Sequence, residues 1–330
     1  MSVRGHMRPI DMRRDLDGLA DLIEVAFAGE LASRGKDFRR ELQTAKRMIP
    51  LVLLLGRISD DFRHVLDGFV WEDDGRIVAS VTVQRMGNNK RHWLLGTVAT
   101  HPDYRRRGLA RALVTRALEH GKAYGAEVFT LDVRSDNAAA YALYRSLGFM
   151  HYDSTTDLKL ETLPDVQAGP LGDYTLRTYN LGEWEARYSL DLRAIPQSVQ
   201  EFVPLDKASY RVSALQRTLI PLLIRLQRID VFRWVVEQDQ QTVGYMRLGA
   251  RCVARTTHEF GLTIDPDHRA QLGEPLLTLA LETLQRYPRQ NTLISVRTAY
   301  HDLLALLDRY GFVEIETEHR LGLKLDASTE

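Results

Sequence analysis

The feature that most narrows what this chain can fold into is an internal repeat. HPDYRRRGLARAL at 101–113 matches DPDHRAQLGEPLL at 265–277, setting Pro102 against Pro266, Asp103 against Asp267 and Arg105 against Arg269 at an offset of 164 residues. LGF at 147–149 stands against YGF at 310–312 at offset 163, and LKL at 158–160 against LKL at 323–325 at offset 165. A near-constant offset held over this distance means one supersecondary plan used twice. Both halves also open on a short strand-like piece, GHMRPID at 5–11 and YTLRTYN at 174–180. Between them TLPDVQAGPLGD at 162–173 gathers the turn-forming Pro, Gly and Asp. The division expected is therefore 1–168 and 169–330, one domain in each, within the usual domain size.

Within the first half, residues 5–10 read as a strand and about 15–48 as a helical pattern. VLDGFVWEDDGRIVASVTVQRM at 65–86 alternates on both sides of Asp74-Gly75, a pair suited to a tight hairpin. HWLLGTVAT at 92–100 reads as one buried strand. From Gly108 to about Tyr124, Leu109, Leu113, Val114, Ala117 and Leu118 recur at helical spacing. VFTLDVR at 128–134 returns as strand, Asn137–Leu147 as helix ending at the cap residue Gly148, and Phe149–Leu160 as a closing strand.

Charge and cysteine content limit the function classes. Lys plus Arg and Asp plus Glu number 44 each, so nothing in the overall balance asks for nucleic acid or an anionic membrane surface. The single cysteine, Cys252, excludes an internal disulfide framework and a cysteine-based zinc site. The start MSVRGHMRPIDMRRD lacks a secretory apolar stretch, and runs such as IPLVLLLG at 49–56 are too short to span a bilayer. A cytoplasmic protein without metal, nucleic acid or membrane is expected, as a monomer or homodimer.

The chemistry concentrates at 98–111. A strand, an Arg- and Gly-rich turn and a helix start form an anion site, because the first helical N–H groups lack intrahelical acceptors and sit at the positive end of the macrodipole. Gly108 lets the backbone approach a ligand, Ala110 keeps the next turn small, and the arginines add positive potential. A solvated basic helix start is the plainer alternative. Arg105-x-x-Gly108-x-Ala110, preceded by Val98-x-x-x-Pro102, resembles the pyrophosphate motif of the GNAT superfamily, the acetyl-CoA-dependent N-acetyltransferases, and the likeness runs over about 75–160. It implies two tandem GNAT-like α/β (α+β) domains, each a mixed, mostly antiparallel twisted sheet flanked by helices. It also implies that main-chain groups of Val98, Ala99 and Thr100 line the pantetheine arm. Arg105, Arg106, Arg107, Gly108, Leu109, Ala110 and Arg111 would then hold the pyrophosphate.

LDVRSDNAAAYALYRSLGF at 131–149 is similar to the bacterial ribosomal-protein N-terminal acetyltransferases of that superfamily. By this resemblance Asp132 takes the place of a general-base glutamate, Asn137 that of a coenzyme-contacting asparagine and Tyr144 that of the general acid. Each has a structural alternative: a polar residue at a strand end, a helix N-cap and a core aromatic. The strand before the phosphate turn, WLLGTVAT at 93–100, carries no carboxylate, so His92, Glu72, Asp73 and Glu24 are further candidates for the base. In the second half, the positions of Gly108, Ala110, Asn137 and Tyr144 hold Leu272, Glu274, Tyr300 and Leu307. A slip of one residue restores Gly273 but brings Glu274 and Pro275 behind it, adding negative charge and removing an N–H. Arg297, His301 and Asp302 read as surface groups there.

The function implied is direct acetyl transfer from acetyl-CoA to a primary amine, on a small molecule or a peptide N-terminus, at one site in the first half. The second half is structural or shapes the acceptor cleft. The alternatives are a non-catalytic acyl-CoA sensor and an interaction protein.

Overall fold

The computed structural model describes residues 5–28, 67–86, 91–213, 217, 221, 224–225, 227–254 and 256–325. In chain order the strands are β1 (His6–Pro9), β2 (Gly68–Asp73), β3 (Arg76–Arg85), β4 (His92–Leu95), β5 (Ala99–Thr100), β6 (Val128–Arg134) and β7 (Met150–Leu160). They continue as β8 (Thr175–Thr178), β9 (Ile229–Gln238), β10 (Gln241–Arg251), β11 (His258–Ile264), β12 (Thr292–Arg297) and β13 (Val313–Lys324). The longer described helices are α1 (Leu16–Ala26), α2 (Leu109–Ala123), α3 (Ala138–Ser146), α4 (Trp184–Ala194), α5 (Arg269–Leu284) and α6 (His301–Arg309). Among the described residues no helix is long and apolar enough to cross a membrane. The helical pattern expected to residue 48 is met by α1; its remainder lies outside the described residues.

Two compact units result, and each draws on both sides of residue 168. The first comprises Met1–Asp132, Ala138–His151 and Leu321–Glu330; the second comprises Val133–Asn137 and Tyr152–Arg320.

In the first unit the strand order is β1-β2-β3-β4-β6 with the end of β13 beyond, and β5 pairs with β3. The hairpin β2–β3 turns at Asp74 and Gly75, both at positive φ (47° and 76°). Neighbours run antiparallel except β4 and β6, which are parallel with His92 opposite Val128. The apolar stripe of α2, Leu109, Leu113, Val114 and Ala117, is buried, as are Val78 and Val81 of β3, Trp93 and Phe129. Burial of such side chains contributes roughly 1.5–3 kcal/mol each relative to exposure, which is what holds the helix to the sheet.

The second unit repeats the plan with β7-β12-β11-β10-β9-β8. Its core joins Leu158 and Leu160 of β7 to Met246, Leu248, Leu272, Leu276, Leu277, Ile294 and Phe312. The closing strands are thus exchanged between the linear halves. β7, the last strand of the first half, lies antiparallel to β12, from Leu160 opposite Thr292 to Thr155 opposite Arg297. β13 begins in the second unit, where the Thr317 and Thr156 hydroxyls lie 2.7 Å apart. It ends in the first, beside β6, where Leu325 N donates to Glu127 O at 2.8 Å.

Candidate active site

The stretch 92–100 is not the single strand its apolar sequence suggests. β4 pairs with β3 and, in parallel, with β6 at 92–94; β5 pairs only with β3, Ala79 opposite Thr100 and Ser80 opposite Ala99. Between them lie Gly96, Thr97 and Val98. Gly96 N donates to Thr82 O at 2.9 Å, and a Cβ on Gly96 would fall 2.3 Å from Thr82 Oγ1. A side chain at 96 would require the Thr82 hydroxyl to move, so glycine suits the close approach at this interruption. Beyond it β5 has no β6 partner among the described residues. Among the described residues the other edge of Ala99–Thr100 pairs with no strand, leaving its backbone groups open on that side.

The next residues form a tied loop. His101 opens a 3-10 turn over Pro102–Tyr104, its Nδ1 accepting from Asp103 N at 3.3 Å, and its Nε2 lies 3.0 Å from Arg76 Nη2. Tyr104 donates its hydroxyl to Asp73 Oδ2 at 2.9 Å. Both ties fasten the loop to the β2–β3 hairpin. Arg106 and Gly108 then take positive φ, 64° and 81°, and α2 starts at once with Gly108 as a cap that has no side chain to occupy its N–H groups. Nothing lies within 4 Å of where a Gly108 Cβ would stand. A groove of about 450 Å³ runs from Gly108 past Arg111, Ala112, Thr115, Arg116 and Glu119 to Met7.

The arginines of the loop are not spent on carboxylates. Arg105 donates to the Thr100 and Ala26 carbonyls at 3.4 and 3.1 Å, Arg107 to Asp103 O at 2.7 Å and Arg111 to Ser146 Oγ at 2.6 Å. Arg107 also lies 4.9 Å over the Tyr104 ring. With Arg106, four exposed guanidiniums surround a helix start and none has an acidic partner among the described residues. Charge, dipole and open backbone all favour an anion at one point. Tyr104, Arg76 and Ser146 escaped sequence reading as contributors, and Asp73, a candidate base by sequence, instead holds Tyr104, since their value lies in tertiary ties.

The Arg111–Ser146 bond also joins the start of α2 to the end of α3, the helix that carries Tyr144. Tyr144 is buried, packed edge-on to Phe149 with centroids 5.9 Å apart. Burial pushes its phenol up to about 12. Among the described residues its hydroxyl has no hydrogen-bond partner. Asp132 is exposed on β6, whose neighbours Leu131 and Val133 are buried. Asn137 directly precedes α3, its N–H donating to Arg134 O at 3.0 Å, and belongs to the second unit.

Of the other candidates for the base, Glu72, Asp73 and His92 have structural partners. Glu72 meets Arg8 at 2.6 Å and Arg14 at 2.8 Å, and the Arg8 hydrogen bond holds it below its ordinary pKa. Asp73 anchors Tyr104. His92 is buried 2.8 Å from Thr130 Oγ1 and burial lowers its pKa. Glu24 lies on α1.

The second unit keeps the strand-turn-helix frame without the loop. Asp265 caps the turn Pro266–His268 as His101 caps Pro102–Tyr104. Here α5 begins at Arg269, the counterpart of Arg105, so the residues that form the positive-φ loop in the first unit become the first helical turn. Leu272 and Leu307 are fully buried, filling positions held by Gly108 and Tyr144 in the first half. Glu274 accepts from the Tyr310 hydroxyl at 2.7 Å, and Tyr300 donates to Ala194 O at 2.8 Å. Arg297 pairs with Asp153 and Asp302 with Arg269 at 3.7 Å. His301 opens α6.

Comparison with known proteins agrees with this geometry. Residues 36–149 match the Acetyltransferase (GNAT) family model. The chain is 34% identical over 109 residues to an acetyltransferase of Sodalis glossinidius, SG1711, a match covering 33% of this chain and 75% of that protein. It therefore belongs to the GNAT acetyltransferase family. Over 69 residues it is 44% identical to the [Ribosomal protein bS18]-alanine N-acetyltransferase of Escherichia coli (strain K12), covering 19% of this chain and 47% of that one; the chain thus spans about half the length of the latter relative. A tandem GNAT protein from the clavulanic acid biosynthesis pathway shares the fold, with a TM-score of 0.61 at 19% identity over 98% of this chain and 100% of the other.

Proposed function

We propose that the chain is an N-acetyltransferase that uses acetyl-CoA at one site in the first unit and carries the acetyl group directly to an amine. The observation that carries this reading is the loop at 105–108. Its two positive-φ residues, Arg106 and the open Gly108, stand among four arginines without acidic partners among the described residues, and the second unit has helix at the corresponding positions.

Backbone N–H groups of Gly108–Arg111 and the guanidiniums of Arg105, Arg106, Arg107 and Arg111 bind the pyrophosphate. The main chain of Val98, Ala99 and Thr100 receives the pantetheine arm. When bound, acetyl-CoA supplies an activated thioester. The acceptor ammonium gives up one proton, to Asp132 directly or through water, before nitrogen bonds to the acyl carbon and the carbon–sulfur bond breaks. Tyr144 acts on the leaving sulfur. A phenol at about 12 holds its proton more tightly than a thiol of cysteine type at about 8.5, so Tyr144 stabilises the departing charge first as a hydrogen-bond donor.

The local likeness to the bS18-alanine enzyme makes a peptide α-amine the first acceptor to try, with small-molecule amines beside it. Full-length protein is incubated with acetyl-CoA and a panel of both, and free thiol is followed. Thiol release that depends on the amine supports the reading. Coenzyme binding without turnover on any amine leaves an acyl-CoA sensor in its place.

A further inference from the structure

The sheet of the second unit carries an arrangement that the transfer reaction does not use. Arg247 on β10 pairs with Arg233 on β9 on one side and with Gly261 on β11 on the other. Residues directly opposed across strands share a face, with Cβ atoms about 4.5–5.5 Å apart, so the two guanidiniums leave the sheet together. Like charges so placed repel unless an acid stands between them. Among the described residues neither arginine has an acidic partner. The carboxylates nearby in the register are engaged elsewhere: Glu259 with Arg251 at 3.9 Å, Glu237 with Arg177 at 2.7 Å and Asp191 with Arg187 at 2.9 Å.

The surroundings shape a site around this pair. One rung along, Tyr245 packs edge-on to Tyr179 at 5.3 Å and lies under the Arg187 guanidinium at 3.9 Å. Leu190 and Ala194 of α4 close that end. On the opposite flank of Arg247 nothing lies within 4 Å of where a Gly261 Cβ would stand, so the glycine leaves room. Arg233 is half-buried while Arg247 is exposed. Burial and the charge of Arg247 both lower the Arg233 pKa, the sign expected of a cation held without its counter-ion.

We infer that Arg233 and Arg247, over Gly261, bind one anionic group, the phosphate or carboxylate of a small molecule. Two planar forks rising from directly opposed positions on one face of the sheet match such a group through charge-assisted, paired N–H donors, and the bound anion removes the repulsion between them. The site lies wholly in the second unit and does not depend on the transferase reading.

The test uses the full-length chain and R247Q, at an exposed position where glutamine keeps a polar side chain and removes the charge. Thermal unfolding is followed in sodium chloride and in sodium phosphate or succinate at matched ionic strength, with phosphate affinity measured by calorimetry. The phosphate loop of the first unit contributes equally to both proteins. In chloride R247Q unfolds at the higher temperature because the repulsion is gone; in phosphate or succinate the order reverses, and the affinity lost is at least about tenfold. The same order of stability in all salts, or equal affinity in the two proteins, overturns the inference.

Discussion

Gly108→Glu tests the coenzyme site most directly, because its effects on fold and on binding separate. At φ 81° a residue with a Cβ costs about 1–2 kcal/mol, but no atom lies within 4 Å of that Cβ, so no packing is lost. A carboxylate at a helix N-terminus returns about 0.3–1 kcal/mol. The expected loss of stability is therefore about 1 kcal/mol, a few degrees in Tm for a unit of this size. Against a pyrophosphate the same carboxylate repels by about 3 kcal/mol per unit charge at about 5 Å and an effective dielectric of 20. Halved by salt screening and acting on two charges, that is again about 3 kcal/mol, or at least a hundredfold in affinity. Calorimetry with CoA, alongside thermal unfolding, reads both. Coenzyme bound with unchanged affinity by the folded variant would refute the cradle, and a wild-type stoichiometry of two per chain would refute the single site.

Tyr144→Phe keeps the ring against Phe149 and removes the hydroxyl. The turnover number should fall about 10²–10⁴-fold with acetyl-CoA affinity little changed, and an unchanged kcat with chemistry rate-limiting reduces Tyr144 to packing. Since the phenol is raised from 10 to about 12, its contribution to stability is complete below pH 10 and is lost as pH rises toward 12; alkaline unfolding of wild type and Y144F should diverge only in that window. Glu274→Gly should leave one CoA per chain, because α5 is already helical where a loop would be needed, and a second equivalent measured by calorimetry would contradict this. Residues 1–168 alone should be poorly soluble, since β7 loses β12 and β6 loses the end of β13; a stable, fully active fragment would show the second half to be dispensable.

Local chemistry explains what was legible in the sequence. The hairpin at Asp74-Gly75, the stripe of α2 and the end of α3 at Gly148 were readable because turn residues and 3.6-residue periodicity act over a few positions. The Arg- and Gly-rich loop that opens α2 was readable for the same reason: Gly108 and its arginines are neighbours in the chain. The residue types also marked where the second half departs from the first, with Leu272 and Leu307 standing at the positions of Gly108 and Tyr144.

Tertiary structure alone decided the rest. Gly96 read as part of one buried strand until Thr82 appeared beside it, a contact from a different strand. The ties of Tyr104 to Asp73 and of Arg111 to Ser146 join residues far apart in sequence, so no periodicity announces them. The exchange of β7 and β13 was hidden because both closing strands have the same alternating character, and hydrogen-bond partners are chosen by geometry rather than by sequence. A repeat tells that one plan is used twice; which copy each strand completes is settled only when the backbone N–H and C=O groups find their neighbours.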